Sequence, residues 1–257
     1  MILLLDIGNT RIKWGCLAEG RFAPGTPVMH RDRDVDSIWS ELWRDLPSPQ
    51  RVVVACVAGE SLRIGLTAWC VSHWGVQPEY RVATEQACGV KNAYRVPAQL
   101  GVDRWLGMIG ARQLPAANGL PLCVVGCGTA LTIDVLTSSG MHLGGWIAPG
   151  VSLMRQQLER GTAIFAVGIT HPPEHGGFGL DSMSAVSAGT AQAAAGMVAQ
   201  ALSLARNRHG ISPVCVATGG DAGIIQALLP GPVQMVPELV LSGLVALLRE
   251  EEGRDSP

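Results

Sequence analysis

Near the start of the chain, Asp6, Gly8, Asn9 and Thr10 set a carboxylate, a bare backbone, a carboxamide and a hydroxyl side by side, with Lys13 just beyond. A metal-bound polyphosphate calls for that set: the carboxylate faces Mg²⁺, while turn amides and a hydroxyl face phosphate oxygens. An ordinary hairpin whose Asp and Asn satisfy their own backbone uses the same residues. A second group, Gly101-Val102-Asp103-Arg104, opens a predicted helix. Asp103 there is either a cap for backbone N–H groups or a base that accepts a proton from a substrate hydroxyl, with Arg104 beside it for an anion. Two further glycine turns, Gly126-Cys127-Gly128-Thr129 and Thr218-Gly219-Gly220-Asp221, present free amides and hydroxyls. Neither is a Walker A loop, because no Gly-Lys-Ser/Thr follows.

The elements that must position these groups alternate. Ile2 to Leu5 is a short apolar run ending at Asp6, Gly-Asn is hairpin chemistry, and a second strand starts near Arg11. The same strand–turn–strand pattern returns at Leu122–Asp134, and a third strand-to-turn unit runs from Val214 to Asp221. Between them the sequence predicts helices over Ser37–Leu46, Leu62–Trp74 closed by Gly75, Asp103–Leu114 closed by Pro115, and Ser184–His209 closed by Gly210. This is an α/β pattern with a duplicated unit, divided at the Pro- and Gly-bearing stretch Leu114–Pro121 into residues 1–117 and 118–257. Gly144 to Gly150 reads as a constrained loop of small residues, and His171 to Gly177 as an exposed loop.

The 257 residues are 47% hydrophobic and 16% charged, enough for sizeable cores and against disorder. A formal charge of −2 and no long basic run give no support for nucleic-acid binding, and Glu250–Glu252 reads as a solvated tail. The seven cysteines are an odd number at irregular spacing, so no disulfide framework is expected. With no secretory signal at Met1 and no apolar run long enough to span a bilayer, the expectation is a soluble cytoplasmic protein.

Taken together, Asp6-Ile7-Gly8-Asn9-Thr10, Gly101-Val102-Asp103-Arg104, Gly128-Thr129-Ala130-Leu131-Thr132-Ile133-Asp134, Gly144-Gly145-Trp146-Ile147-Ala148-Pro149-Gly150 and Thr218-Gly219-Gly220 occur in that order. The set resembles the type III pantothenate kinase family, also called Bvg accessory factor proteins, from Met1 to about Leu248. The resemblance implies the actin-like ATPase fold shared by acetate and sugar kinases, Hsp70 and actin: two duplicated α/β domains with ATP in the cleft. It further implies homodimers whose substrate pockets are completed by the partner, and phosphorylation of pantothenate to 4'-phosphopantothenate, the first step of coenzyme A synthesis. The cofactors implied are Mg-ATP and a monovalent cation such as K⁺ or NH₄⁺.

Carried over by position, the resemblance gives Asp6 to Mg²⁺ on the ATP phosphates. It gives Gly8, Asn9, Thr10, Lys13, Gly128 and Thr129 to phosphate, and Gly219 and Gly220 to the nucleoside. Asp103 matches the general base. Tyr94, Gly101, Val102 and Arg104 line the pantothenate site, and Ser182 matches a threonine that reaches the partner's pantothenate. One position departs: where many members carry a cation-coordinating Asp, this chain has Gly126. A non-catalytic, ATP-binding regulatory protein is the alternative that this departure leaves open.

Overall fold

The computed structural model describes residues 1–31, 33, 35–162 and 177–254. The chain forms two compact units: Met1–Gln113 together with the chain from Glu238 onward, and Leu114–Pro237.

The first unit opens with β1 (Ile2–Ile7) and β2 (Arg11–Ala18), an antiparallel hairpin whose last register pair is Ile7 with Ile12. Short strands β3 (Arg21–Pro24) and β4 (Val28–Met29) both pair with β2, and α1 (Val35–Trp43) follows. Strand β5 (Arg51–Cys56) lies parallel to β1, and α2 (Glu60–Trp74) ends at Gly75 in the left-handed conformation, φ 68°. Next come β6 (Glu79–Tyr80), the small hairpin β7 (Gln86–Ala87) and β8 (Val90–Lys91), and α3 (Val102–Arg112). The main sheet runs β3-β2-β1-β5-β6.

Strand β1 is central, so it is apolar on both faces, which is why Ile2–Leu5 shows no alternation. Leu3, Leu5 and Ile7 pack with Trp39, Trp43 and Trp69 of α1 and α2. Leu4 packs on the opposite side with Val102 and Leu106 of α3. The two-residue period puts Asp6 on the side of Leu4, the side that α3 covers.

In the second unit β9 (Leu122–Cys127), β10 (Ala130–Leu136) and β11 (His142–Pro149) form an antiparallel meander. Helices α4 (Val151–Gly161) and α5 (Ser182–His209) follow, then β12 (Val214–Thr218), the short α6 (Ala222–Gln226) and β13 (Val233–Met235). Strand order is β11-β10-β9-β12-β13. Helix α5 starts with a capping box between Asp181 and Ser184 and stops at Gly210, φ 65°. Its small-residue face (Ala194, Ala195, Val198, Ala201) lies on Cys123, Val125 and Cys127 of β9.

The last helix, α7 (Leu239–Arg254), belongs to the first unit. Its Val240, Leu241, Leu244 and Leu248 complete the layer over Leu4. It crosses α3 so closely that a Cβ on Gly110 would strike the Leu239 carbonyl, and one on Gly243 the Leu106 carbonyl.

Three sequence expectations change here. The division is not the contiguous one at residues 117 and 118, because α7 returns to the first unit. The Gly144–Gly150 stretch is mostly edge strand β11: its residues alternate between half-buried and exposed, but Gly, Ile and Pro stand at the exposed positions, so no polar–apolar alternation marks it, and Gly144 takes φ 112° near a register shift. Glu250 to Glu252 end α7 instead of forming a tail. Glu251 pairs with Arg81 at 2.7 Å, and the Glu250 carboxylate accepts from the Cys88 N–H at 3.2 Å. The expected loop at His171–Gly177 lies, but for Gly177, outside the described residues.

Candidate active site

In the first unit, Asp6 and Lys13 are directly opposite each other across β1 and β2, so their side chains emerge on one face. Burial pushes the Asp6 carboxyl up from 3.8 to about 7; Lys13 opposes the rise, and the charge of Asp103 adds to it. The structure thus brings Asp6, Lys13 and Asp103 within electrostatic reach. Ordinary hairpin chemistry does not account for a desolvated carboxyl placed near a second acid. A cation beside Asp6 would relieve that penalty, so the donor set fits a metal carried by a polyphosphate.

The turn between the strands holds Gly8, Asn9 and Thr10, with the Gly8 N–H donating to the Arg11 carbonyl at 3.1 Å. Asn9 is exposed; Gly8 and Thr10 are half-buried. A residue that the motif reading missed closes this turn from behind. His30 is buried, its ring Nε2–H donates to the Gly8 carbonyl at 2.7 Å, and its backbone N–H donates to the Thr10 carbonyl at 3.0 Å. No local sequence pattern marks it, because its partners are main-chain atoms twenty residues away.

Asp103 is the second residue of α3. The N-cap position is Gly101, which has no side-chain cap bond, and Asp103 Oδ1 accepts the Arg104 N–H at 2.8 Å. A first-turn acid of this kind complements the helix dipole. A Cβ at Gly101 would stand 2.7 Å from that same Oδ1, so the glycine leaves the carboxylate its position. Arg104 is buried, donates from Nη1 to the Tyr94 hydroxyl at 2.9 Å, and lies 5.7 Å from the Tyr94 ring centre. Val102 is buried and packs into the core under α3, so it anchors the helix from below.

Tyr94 stands in a loop pinned by buried Asn92. The Asn92 Nδ2 donates to the carbonyls of Thr84 (3.1 Å) and Pro97 (3.2 Å), and its Oδ1 accepts the Tyr94 N–H at 3.0 Å. Asn92 stands two residues before Tyr94, yet its three-way role is invisible without the loop's path.

In the second unit, Gly128 and Thr129 form the β9–β10 turn, and the Gly150 N–H donates to the Thr129 carbonyl at 2.9 Å. Gly219, at φ 108°, passes so near Cys127 that a Cβ would overlap its carbonyl, and the Asp221 N–H donates to that carbonyl at 3.1 Å. Only glycine fits there. Asp221 also accepts from Ser152 in the first turn of α4, at 3.3 Å from the N–H and 3.2 Å from the hydroxyl. The structure therefore gathers Gly128, Thr129, Gly219 and Gly220 around one pair of turns. Ser182 is exposed at the first position of α5, apart from those turns in the chain's hydrogen bonding.

Gly126 pairs with Thr132 across β9 and β10. A Cβ at 126 would stand 2.5 Å from Thr132 Oγ1, so that hydroxyl occupies the space an acidic side chain would enter. The acid two residues along the same face, Asp134, is buried and bonded to His142 Nε2 at 2.9 Å. Among the described residues no group of three or more His, Cys, Asp or Glu gathers to hold a metal. The residues around position 126 do not fit a carboxylate-bound monovalent cation.

A family model described as type III pantothenate kinase matches residues 2–203, most of the chain. This chain belongs to the type III pantothenate kinase family. A relative of that name from Nitrosococcus oceani is 37% identical, over 97% of this chain and 94% of its own length. Another, from an Azoarcus species, is 36% identical over 100% of this chain and 94% of its own. Among solved structures, a conserved putative Baf family transcriptional activator from Campylobacter jejuni superposes with TM-score 0.60 at 19% identity, covering 98% of this chain and 99% of that one. A putative N-acetylmannosamine kinase from Listeria monocytogenes gives 0.51 at 14% identity, covering 97% and 99%. ADP-bound MreB5 of Spiroplasma citri gives 0.50 at 12%, covering 99% and 98%. These structural likenesses speak to the fold, and the kinase family member has the actin-like ATPase fold.

Proposed function

We infer that the chain transfers the γ-phosphoryl group of Mg-ATP to the hydroxyl of pantothenate, giving 4'-phosphopantothenate and ADP in coenzyme A biosynthesis. The observation that carries this reading is the placement of Asp103. It is a half-buried carboxylate at the start of α3, within electrostatic reach of the desolvated Asp6 and next to the buried Arg104–Tyr94 pair. Asp103 takes the hydroxyl proton as the new O–P bond forms and the bond from the γ-phosphorus to the β,γ-bridging oxygen breaks. Arg104, a planar donor already oriented by Tyr94, suits the carboxylate of pantothenate. Asp6 holds Mg²⁺, which supplies charge neutralisation on the phosphates when bound. Lys13, the Asn9 amide, Thr10, Gly128 and Thr129 meet phosphate oxygens, and Gly219 and Gly220 border the nucleoside. In-line positioning and charge stabilisation are most of what phosphoryl transfer asks of a protein.

Because Gly126 brings no carboxylate, we expect turnover without a monovalent-cation requirement. Ser182 keeps the hydroxyl of the family threonine, and Phe178 and Leu180 beside it are 98% and 97% exposed. Both features support a homodimer in which Ser182 reaches the partner's pantothenate. Seven free cysteines and the absence, among the described residues, of any helix able to cross a membrane accord with work in the cytoplasm. The net charge of −2 favours no nucleic-acid partner. No specific observation favours a purely regulatory protein, since Asp6, Asp103 and Thr129 are all in place.

The test is formation of 4'-phosphopantothenate, followed by mass spectrometry, from pantothenate and Mg-ATP with K⁺ or with N-methylglucamine. Product in both buffers is the expected result. No product from folded protein that binds ATP would refute the assignment.

A further inference from the structure

We propose that His30 is a positioning residue for the nucleotide, fixing the β1–β2 turn so that the Asn9 amide faces the phosphates; this rests on the kinase reading above. A carbonyl oxygen only accepts, so the 2.7 Å contact requires a proton on His30 Nε2. The peptide unit joining Gly8 to Asn9 is planar and trans, so its C=O and N–H point in opposite directions. Holding the Gly8 carbonyl against the buried ring therefore aims the Asn9 N–H outward, to the side where Asn9 is exposed.

The turn's own bond, from the Gly8 N–H to the Arg11 carbonyl at 3.1 Å, holds the peptide unit before Gly8 and not the one after it. Gly8 has the freest backbone of any residue, and even an added Cβ there would meet only the Arg11 carbonyl, at 3.5 Å. The hairpin itself does not depend on the ring, because β1 and β2 are joined through six register pairs and a packed apolar core. Loss of the ring donor would leave the hairpin and free one peptide unit. The second bond, from the His30 N–H to the Thr10 carbonyl at 3.0 Å, is a main-chain bond that any residue but proline makes, so substitution isolates the ring.

The experiment compares His30→Ala, His30→Phe and His30→Gln with the wild type. Phe fills the space without a donor, and Gln returns an N–H at similar reach. Mg-ATP affinity is measured by calorimetry, and KM for ATP and for pantothenate by steady-state assay. Loss of one net hydrogen bond's worth of order predicts a weakening of roughly 3- to 10-fold for Ala and Phe toward Mg-ATP. KM for pantothenate is expected to stay within about twofold, with Gln within about twofold of wild type throughout. Unchanged Mg-ATP affinity in folded Phe and Ala variants would overturn the proposal. So would a Gln variant as weak as Ala, or a parallel rise in KM for pantothenate. If Ala does not fold, Phe and Gln decide. If the wild type binds Mg-ATP but leaves pantothenate unmodified, the acceptor assignment fails while the calorimetry still decides the role of His30.

Discussion

Asp6→Asn should make the ligand-free protein more stable at pH 8 while destroying its activity. The carboxyl of Asp6 ordinarily titrates at 3.8 and is pushed up to about 7, chiefly by burial. Between those two values the native state holds a proton that the unfolded chain has released. Stability from this group is therefore fully present below pH 3.8 and falls as pH rises toward 7. At about 1.4 kcal/mol for each tenfold change in the proton equilibrium, the penalty above pH 7 reaches roughly 4 kcal/mol, an upper bound once local relaxation is allowed. Asn keeps the shape and drops the charge. Its advantage should be near zero at pH 4 and about 2–4 kcal/mol at pH 8, or several degrees in melting temperature for a chain of this size. Thermal unfolding of both proteins at the two pH values, without Mg²⁺, reads this directly. Mg-ATP should then raise the melting temperature of the wild type alone. An Asn variant no more stable than wild type at pH 8, or one with the same advantage at both pH values, would refute the claim that Asp6 is a desolvated carboxylate awaiting a cation.

Other consequences are as direct. Asp103→Asn should keep Mg-ATP affinity by calorimetry and lose about 10²–10⁴ in kcat, the usual worth of a general base; near-normal turnover would remove Asp103 from that role. Asn92→Ala should raise KM for pantothenate while leaving KM for ATP, and lower stability by about 1–3 kcal/mol because the Tyr94 amide and two carbonyls lose their partner; denaturant melts and initial rates check both. Gly219→Ala forces a Cβ into the Cys127 carbonyl, so Mg-ATP binding should collapse, measured by calorimetry on whatever folded protein is recovered. Gly126→Asp paired with Thr132→Ala, which clears the hydroxyl from the space beside it, should make the rate respond to K⁺, against no response expected for the wild type in the parallel assay.

The local setting of the candidate residues was legible in the sequence because Gly, Asn, Asp and Thr carry local meaning at turns and element ends. Asp6 lies near the end of β1, Gly8–Thr10 and Gly128–Thr129 fall in the turns that strand-to-turn patterns expect, and Asp103 opens α3 as the helix pattern expects. Helix ends at Gly75 and Gly210 were legible for the same reason: only a left-handed residue closes them so. What the sequence hid was long-range. Strand β11 lies at an edge, and its alternating exposure is not matched by alternating polar and apolar residues. Helix α7 ends in three acids that look solvated until Arg81 is found 170 residues away. His30 and Asn92 act on main-chain atoms, and no motif encodes a bond to a carbonyl. The fate of position 126 needed the register as well, since only pairing with Thr132 shows what fills the missing side chain's space.

The return of α7 to the first unit has a consequence for how the protein is made. A ribosome delivers β1 before α7, with the whole second unit in between. Until α7 arrives, the layer that Leu4 and Leu106 share lacks the part of its cover that Val240, Leu241, Leu244 and Leu248 supply. The second unit, continuous in sequence, can fold while the first waits with that layer only partly covered and exposed to chaperones or to misassociation. The helix that carries Asp103 therefore gains its close packing partner α7 only after the second unit has been made.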